Sequence, residues 1–457
     1  MALLAALPVA SAGTGCSPRE HREPPPVTDV TAIREVDPGG VPGLMPVTRS
    51  GGGDRHRLFA SYPRISGAGA LSGALARAQD EQVRRFTERT SRGPSVPELN
   101  IEWSLTAASG DVVGVRLVTS AFPGGTTRRT FWYDGAAGAV RSSADLVDGP
   151  GRLAALVRAK EPGAVPAKAG PEAFSSLAFN DQGDLVVEFS DDAVAAGTAG
   201  AAEPTGTPGR VAVALGHREY EPLLSAFGRR ARDAALAPRP VLRLGPPESP
   251  TLAASRSPAP QADCRTAKCV ALTFDDGPGP DTGRLLDALA ERGARATFFV
   301  VGGNAAAQPE LLRRQRAEGH EIGNHTHAHR DLSRLPALRI SSDIQRTQEV
   351  IRSATGHGGM LLRPPYGAVN GTVTGVARSL GLVQIRWTAD PERDGDGAAA
   401  IAGRAVALAR AGGIIRMHDV RPASVDAVPE ILDRLARDGY SFVTVSALRA
   451  GRRSGPG

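Results

Sequence analysis

The sequence predicts an α/β protein in two parts, a smaller α+β domain followed by a domain of alternating β and α segments. Three observations lead there. The chain has 457 residues, enough for two ordinary domains with linkers. Two stretches rich in Pro, Gly, Ser and Ala divide it, at 17–57 and 236–262. Beyond the second stretch the hydrophobic pattern changes to short apolar runs alternating with amphipathic segments, which favours a barrel or a doubly wound sheet.

Bulk composition narrows the class. A hydrophobic fraction of 41% is that of a globular chain, and no apolar run is long enough to span a bilayer. The formal charge of +6 comes almost entirely from arginine in an Ala/Gly/Pro-rich sequence. No basic cluster is interleaved with aromatics, so nucleic-acid binding is not expected. Residues 1–16 form a short apolar stretch, then small residues, then Cys16, which resembles the end of a lipoprotein signal peptide. No Lys or Arg precedes Arg19, so the usual positive flank is missing. The expectation is nevertheless an exported, cell-envelope protein, lipid-anchored through Cys16 or secreted, with no other membrane contact, and monomeric. Cys264 and Cys269 are then expected to form a small disulfide, suited to an oxidising compartment.

Taken in order, 17–57 reads as a disordered tether, and order is expected from about Leu58. Leu71, Leu75, Val83 and Phe86 fall near helical spacing, which predicts a helix over about 68–90. Strand-like runs follow at 99–108, 112–122 and 126–134, then a helix around Arg152–Lys160, a strand pair over 174–190 turning at Asp181–Gly183, and an apolar run at 211–215. This is the α+β domain, 58–235. After the linker, 263–450 carries apolar runs at 270–274, 296–302, 383–387, 412–417 and 441–445, alternating with helix-like segments such as 283–293 and 309–319. Residues 451–457 form a tail. In a barrel, reactive groups collect at the C-terminal ends of the strands.

Five short motifs sit where such chemistry would be expected. Asp275 and Asp276 end the first strand-like run and point in different directions, so one can bind a metal while the other faces substrate. His325 and His329, at i and i+4, share a face on a helical turn; with a carboxylate they make the open three-ligand site of a catalytic metal. His327 between them is expected to point elsewhere. Arg363-Pro364-Pro365-Tyr366-Gly367 is a loop stiffened by two prolines that lack N–H groups, leaving the Tyr366 amide free for an oxyanion and Arg363 for a carboxylate. Trp387 to Asp390, continuing to Asp394, is the fourth motif. The fifth is the run from Ile414 to Asp419, with His418 at the end of a buried strand.

These motifs, in this order, resemble the NodB-type polysaccharide deacetylases (carbohydrate esterase family 4) over about 264–450. The resemblance implies a distorted (β/α) barrel and hydrolysis of N-acetyl groups on a glycan. It implies Asp275 as general base, Asp276, His325 and His329 as ligands of zinc or another divalent metal, Arg363 as the group orienting Asp275, and His418 as general acid. The Tyr366 amide would hold the oxyanion, and Pro365, Tyr366, Trp387 and Arg416 would contact substrate. Cell-wall polysaccharide, peptidoglycan above all, is the expected substrate; chitooligosaccharide, O-acetyl xylan, or a non-catalytic glycan-binding role are the alternatives. Two positions depart from the family pattern. Arg416 stands where a leucine usually walls the acetyl pocket. In the fourth motif Arg393 replaces the second aspartate, so either Asp390 or Asp394 could pair with His418, with Asp394 preferred. The earlier domain resembles the extracellular domain of RsiV-type anti-sigma factors, on the segments 77–86, 130–147 and 174–200 through 211–215, which implies a binding or spacing module.

Overall fold

The computed structural model describes residues 29–52, 56–89, 96–162, 174–191, 211–244 and 261–453. The signal-like segment with Cys16, most of the second linker and the last four residues of the tail lie outside them.

The first sheet is built from β1 (Leu44–Gly52), β2 (Arg57–Ile65), β3 (Glu98–Gly110), β4 (Val112–Phe122), β5 (Thr126–Asp134) and β6 (Ala139–Arg141), in that spatial order. All neighbours are antiparallel except β2 and β3, which are joined by the helix Gly69–Arg89 and therefore run parallel. The expected apolar positions of that helix, Leu71, Leu75, Val83 and Phe86, are all buried. A second, antiparallel sheet of β7 (Ser176–Phe179), β8 (Leu185–Phe189) and β9 (Val211–Leu215) packs with the helix Pro150–Lys160 around Trp132. β10 (Val241–Leu242) adds to β3.

The expectation of a disordered tether through residue 57 fails for the described residues from 29 on: Arg34 N–H donates to the Phe179 carbonyl, Val36 bridges Leu105 of β3, and Val41 is buried. Residues 44–52 pair along their whole length with β2, and Leu44 is 3% exposed. The Gly- and Ser-rich composition at 50–52 conceals an edge strand, because pairing with β2 supplies order that local composition does not.

The C-terminal region holds a parallel sheet: β11 (Lys268–Asp275), β12 (Ala296–Val300), β13 (Glu321–Asn324), β14 (Leu361–Leu362), β15 (Val383–Gln384), β16 (Gly413–His418) and β17 (Tyr440–Phe442). The spatial order is β15-β14-β13-β12-β11-β16, with β17 also on β11. β11 is buried from Cys269 to Asp275, as a central parallel strand must be. Just past β15, Ala389 bridges Ile415 of β16, so the two edges of the sheet meet. Helices between the strands bury Leu285, Leu289, Leu312, Ile431 and Leu435 against it. The result is a mixed α/β protein. Cys264 and Cys269 are joined by a disulfide at the start of β11. No helix among the described residues is long and apolar enough to cross a membrane.

Candidate active site

Asp275 and Asp276 stand at the C-terminal end of β11, where the strand stops and the chain turns. Asp276 adopts φ 74°, which turns its carboxylate away from that of its neighbour. The following Gly277 is required by packing, because a Cβ there would collide with the Asp419 carboxylate. Asp275 is 1% exposed, and its Oδ1 accepts from Arg363 Nη1 at 2.7 Å. Arg363 is itself fully buried, donates also to Thr273 Oγ1 and lies over the Phe299 ring at 4.0 Å. Asp275 and Arg363 thus form a rigid, dry pair.

The histidine motif is not a helical turn. Residues 325–331 form a loop after β13, with positive φ at Thr326 (67°) and His329 (55°). Side chains close it locally: Asn324 Oδ1 accepts from Thr326 N at 2.8 Å, and Thr326 Oγ1 accepts from His329 N at 3.0 Å. The loop brings His325 Nε2 and His329 Nε2 to 3.4 and 3.0 Å from Asp276 Oδ1. One donor atom from each of these three buried residues lies within 4.8 Å of the others. Asp276 Oδ1 has no hydrogen-bond donor among the described residues, although it is buried. Two imidazoles and a carboxylate with an unsatisfied buried oxygen fit a divalent cation. His325 Nδ1 lies 2.5 Å from the Arg363 carbonyl, which fixes the tautomer that leaves Nε2 free. Burial favours the neutral form of His329, pushing its pKa down, as a ligand requires. Burial alone would raise the Asp276 carboxyl, but the neighbouring histidines, His329 first, hold it well below its usual range. His327 points away, as expected; burial pushes it down to about 3.

His418 ends β16, in register with Asp275. Neither Asp394 nor Asp390 holds it. Its Nδ1 is 2.6 Å from Glu392 Oε2, and its backbone N–H donates to Glu392 Oε1. Glu392 also accepts from Arg421 and Ser424. Burial works to raise this carboxyl, but His418 and then Arg421 and Ser424 outweigh it and bring it to about 2. In return, burial would lower the His418 pKa, and Glu392 raises it. Asp394 instead pairs with Arg421 at 2.7 Å, and Asp390 with Arg416 at 2.5 Å. The physical reason is reach: Glu392 comes two residues after Asp390, and its extra methylene carries the carboxylate to the imidazole. A carboxylate inside the fourth motif was the available signal.

Tyr366 has φ 59° in a turn whose closing bonds use the amides of Gly367 and Ala368, so its own amide takes part in neither. Four non-glycine residues with positive φ, at 276, 326, 329 and 366, therefore surround one point, a concentration of backbone strain typical of functional sites. Asp275, Asp276, His325, His329, Tyr366, Asp390, Glu392, Asp394, Arg416 and His418 all line one cavity of about 570 Å³. Pro365 and Trp387 do not line it. Pro365 is buried, and Trp387 lies behind the wall, against Gly367 and with the Arg416 guanidinium 4.0 Å over its ring. Arg416 is thereby held between Trp387 and Asp390. Arg393 and Arg421 also line the cavity, and one wall comes from the N-terminal region, at Ser50, Gly51, Gly52, His56 and Leu58.

The family model for polysaccharide deacetylases matches residues 262–385. Among curated relatives, a peptidoglycan-N-acetylglucosamine deacetylase of Listeria monocytogenes is 36% identical over 186 residues, 40% of this chain and 39% of that protein. A peptidoglycan-N-acetylmuramic acid deacetylase of Bacillus subtilis is 40% identical over 184 residues, 40% of this chain and 38% of that protein. The chain thus spans about two fifths of the length of these two relatives. A chitooligosaccharide deacetylase of Rhizobium leguminosarum is 40% identical over 182 residues, 39% of this chain and 81% of that protein. The family match does not extend to the N-terminal sheets. With the motifs, the site geometry and a relative matched over four fifths of its length, the chain belongs to the polysaccharide deacetylase family.

Proposed function

We propose that the protein is a metal-dependent N-deacetylase of cell-wall glycan, with peptidoglycan its substrate, releasing acetate and leaving a free amine. The observation that carries this reading is the convergence on one cavity of a three-residue ligand set, a carboxylate held by a buried arginine, and an imidazole held by a buried glutamate. The peptidoglycan part rests on the relatives from Listeria and Bacillus.

Asp276, His325 and His329 would hold the cation, with zinc the metal best suited to two imidazoles and one carboxylate. When bound, it supplies Lewis acidity, lowering the pKa of water and polarising the acetamide carbonyl. Asp275, fixed by Arg363, takes the proton of the attacking water. The Tyr366 amide donates to the carbonyl oxygen as negative charge builds on it. His418 delivers its Nε2 proton to the departing nitrogen, while Glu392 keeps the imidazolium oriented and charged until that moment. The joined edges of the parallel sheet support reading the C-terminal region as a distorted β/α barrel. We read 58–235 as a separate binding or spacing module, extended by β1, and the whole as an exported protein.

Purified full-length protein with added zinc is expected to release acetate from peptidoglycan. Asp275→Asn is expected to abolish release while leaving glycan binding intact. A metal-loaded protein that binds glycan but frees no acetate from peptidoglycan, chitooligosaccharide or xylan would establish the non-catalytic alternative.

A further inference from the structure

The two metal-site histidines are anchored in different ways. His325 has its Nδ1 on the Arg363 carbonyl. His329 Nδ1 has no hydrogen-bond partner among the described residues. A ligating imidazole ordinarily depends on such a bond for its orientation. In its place, the ring of Phe59 lies flat against the His329 ring, with centroids 4.5 Å apart and planes 18° apart. Tyr366 and His325 meet the same imidazole edge-on, at 4.8 and 4.9 Å.

Phe59 belongs to β2, some 270 residues earlier in the chain, and is 2% exposed. Its neighbours continue the contact. The parallel register sets Arg57 opposite Glu98 and Phe59 opposite Asn100, so all four side chains emerge on one face. Asn100 Nδ2 donates to the carbonyls of Ala328 (2.7 Å) and His329 (3.3 Å). Glu98 accepts from the Asp331 amide at 2.9 Å, and Arg57 pairs with the Asp331 carboxylate. One face of the N-terminal sheet thus grips both the ring and the backbone of the histidine loop.

We propose that Phe59 is a positioning residue for the metal centre, and that β2 and β3 of the N-terminal region form a cradle that presets His329 for its ligand role. This rests on the reading of His329 as a ligand. It makes the N-terminal region a working part of the centre, beyond a spacer or a separate binding module.

The test is zinc affinity of the full-length chain, measured by competition with a colorimetric chelator. Phe59→Ala is expected to weaken zinc binding by about 10–100-fold. Phe59→Leu, which keeps most of the buried volume but not the flat face, is expected to weaken it in the same direction and covers the case in which the alanine variant does not fold. Phe59→Tyr is expected to restore affinity. Leu75→Ala, on the buried face of the helix Gly69–Arg89 in the same region, is expected to lower the melting temperature with zinc affinity unchanged. Folded Phe59→Ala or Phe59→Leu protein binding zinc as tightly as wild type would overturn the proposal. If His329→Ala abolishes zinc binding in the same assay, that failure leaves the ligand assignment standing. A wild-type chain without measurable zinc affinity would overturn both.

Discussion

His418 takes its carboxylate partner from Glu392, a residue that the spacing of aspartates in the fourth motif passes over. The exchange has a kinetic consequence. Glu392 raises the His418 pKa against the effect of burial, keeping the acid protonated at higher pH. Glu392→Gln removes that charge, so the alkaline limb of the rate profile should move to lower pH. The rate at its optimum should fall by about 10² or more. A pH–rate profile of wild type and variant checks both. Asp419, its neighbour, is a second residue-scale test. Burial raises this carboxyl to about 7, with Thr282 donating to it at 2.6 Å. Because the folded protein holds a proton that the unfolded chain has lost above about pH 4, this contribution to stability is present in acid and lost as pH rises towards 7. Asp419→Asn should remove that part of the decline, as read by urea denaturation at about pH 5 and about pH 8 without added metal. At this scale the motifs singled out Asp275, Asp276, His325, His329, Arg363 and His418, and the fold brings these residues side by side. It missed Glu392 because spacing along a loop does not report side-chain reach.

At the scale of elements, the histidine loop and β1 depart most from expectation, and for related reasons. The i, i+4 spacing is satisfied without a helix because Asn324 and Thr326 supply local hydrogen bonds that hold two left-handed residues. β1 is a strand because β2 is beside it. Asn304 joins β1 and β2 to the end of β11: Nδ2 donates to the Asp276 carbonyl and to Thr48, and Oδ1 accepts from Ser61. Asn304 is 1% exposed, so Asn304→Ala leaves several buried groups unpaired. It should cost about 1–3 kcal/mol in chemical denaturation. On the proposed ligand role of Asp276, it should also weaken zinc binding, since it frees the backbone of that residue.

For the whole molecule, the N-terminal and C-terminal regions have largely separate apolar cores, yet part of their contact, polar and aromatic, falls on the active site. A chain beginning at residue 261 keeps its own core but uncovers Asn304 and the face of His329. It is expected to melt at a lower temperature than the full chain and to bind zinc at least about 10-fold more weakly, measured by calorimetry and by the same chelator competition. What the sequence determined by itself was the C-terminal α/β alternation and the reactive residue types, since periodicity and motif order are properties of the chain read locally. Tertiary structure alone decided which carboxylate serves His418, how Arg416 is accommodated, and that Phe59 and Asn100 sit against His329. Those are contacts between residues 26 to more than 200 positions apart, fixed by sheet register and side-chain length, and neither leaves a periodic trace in sequence.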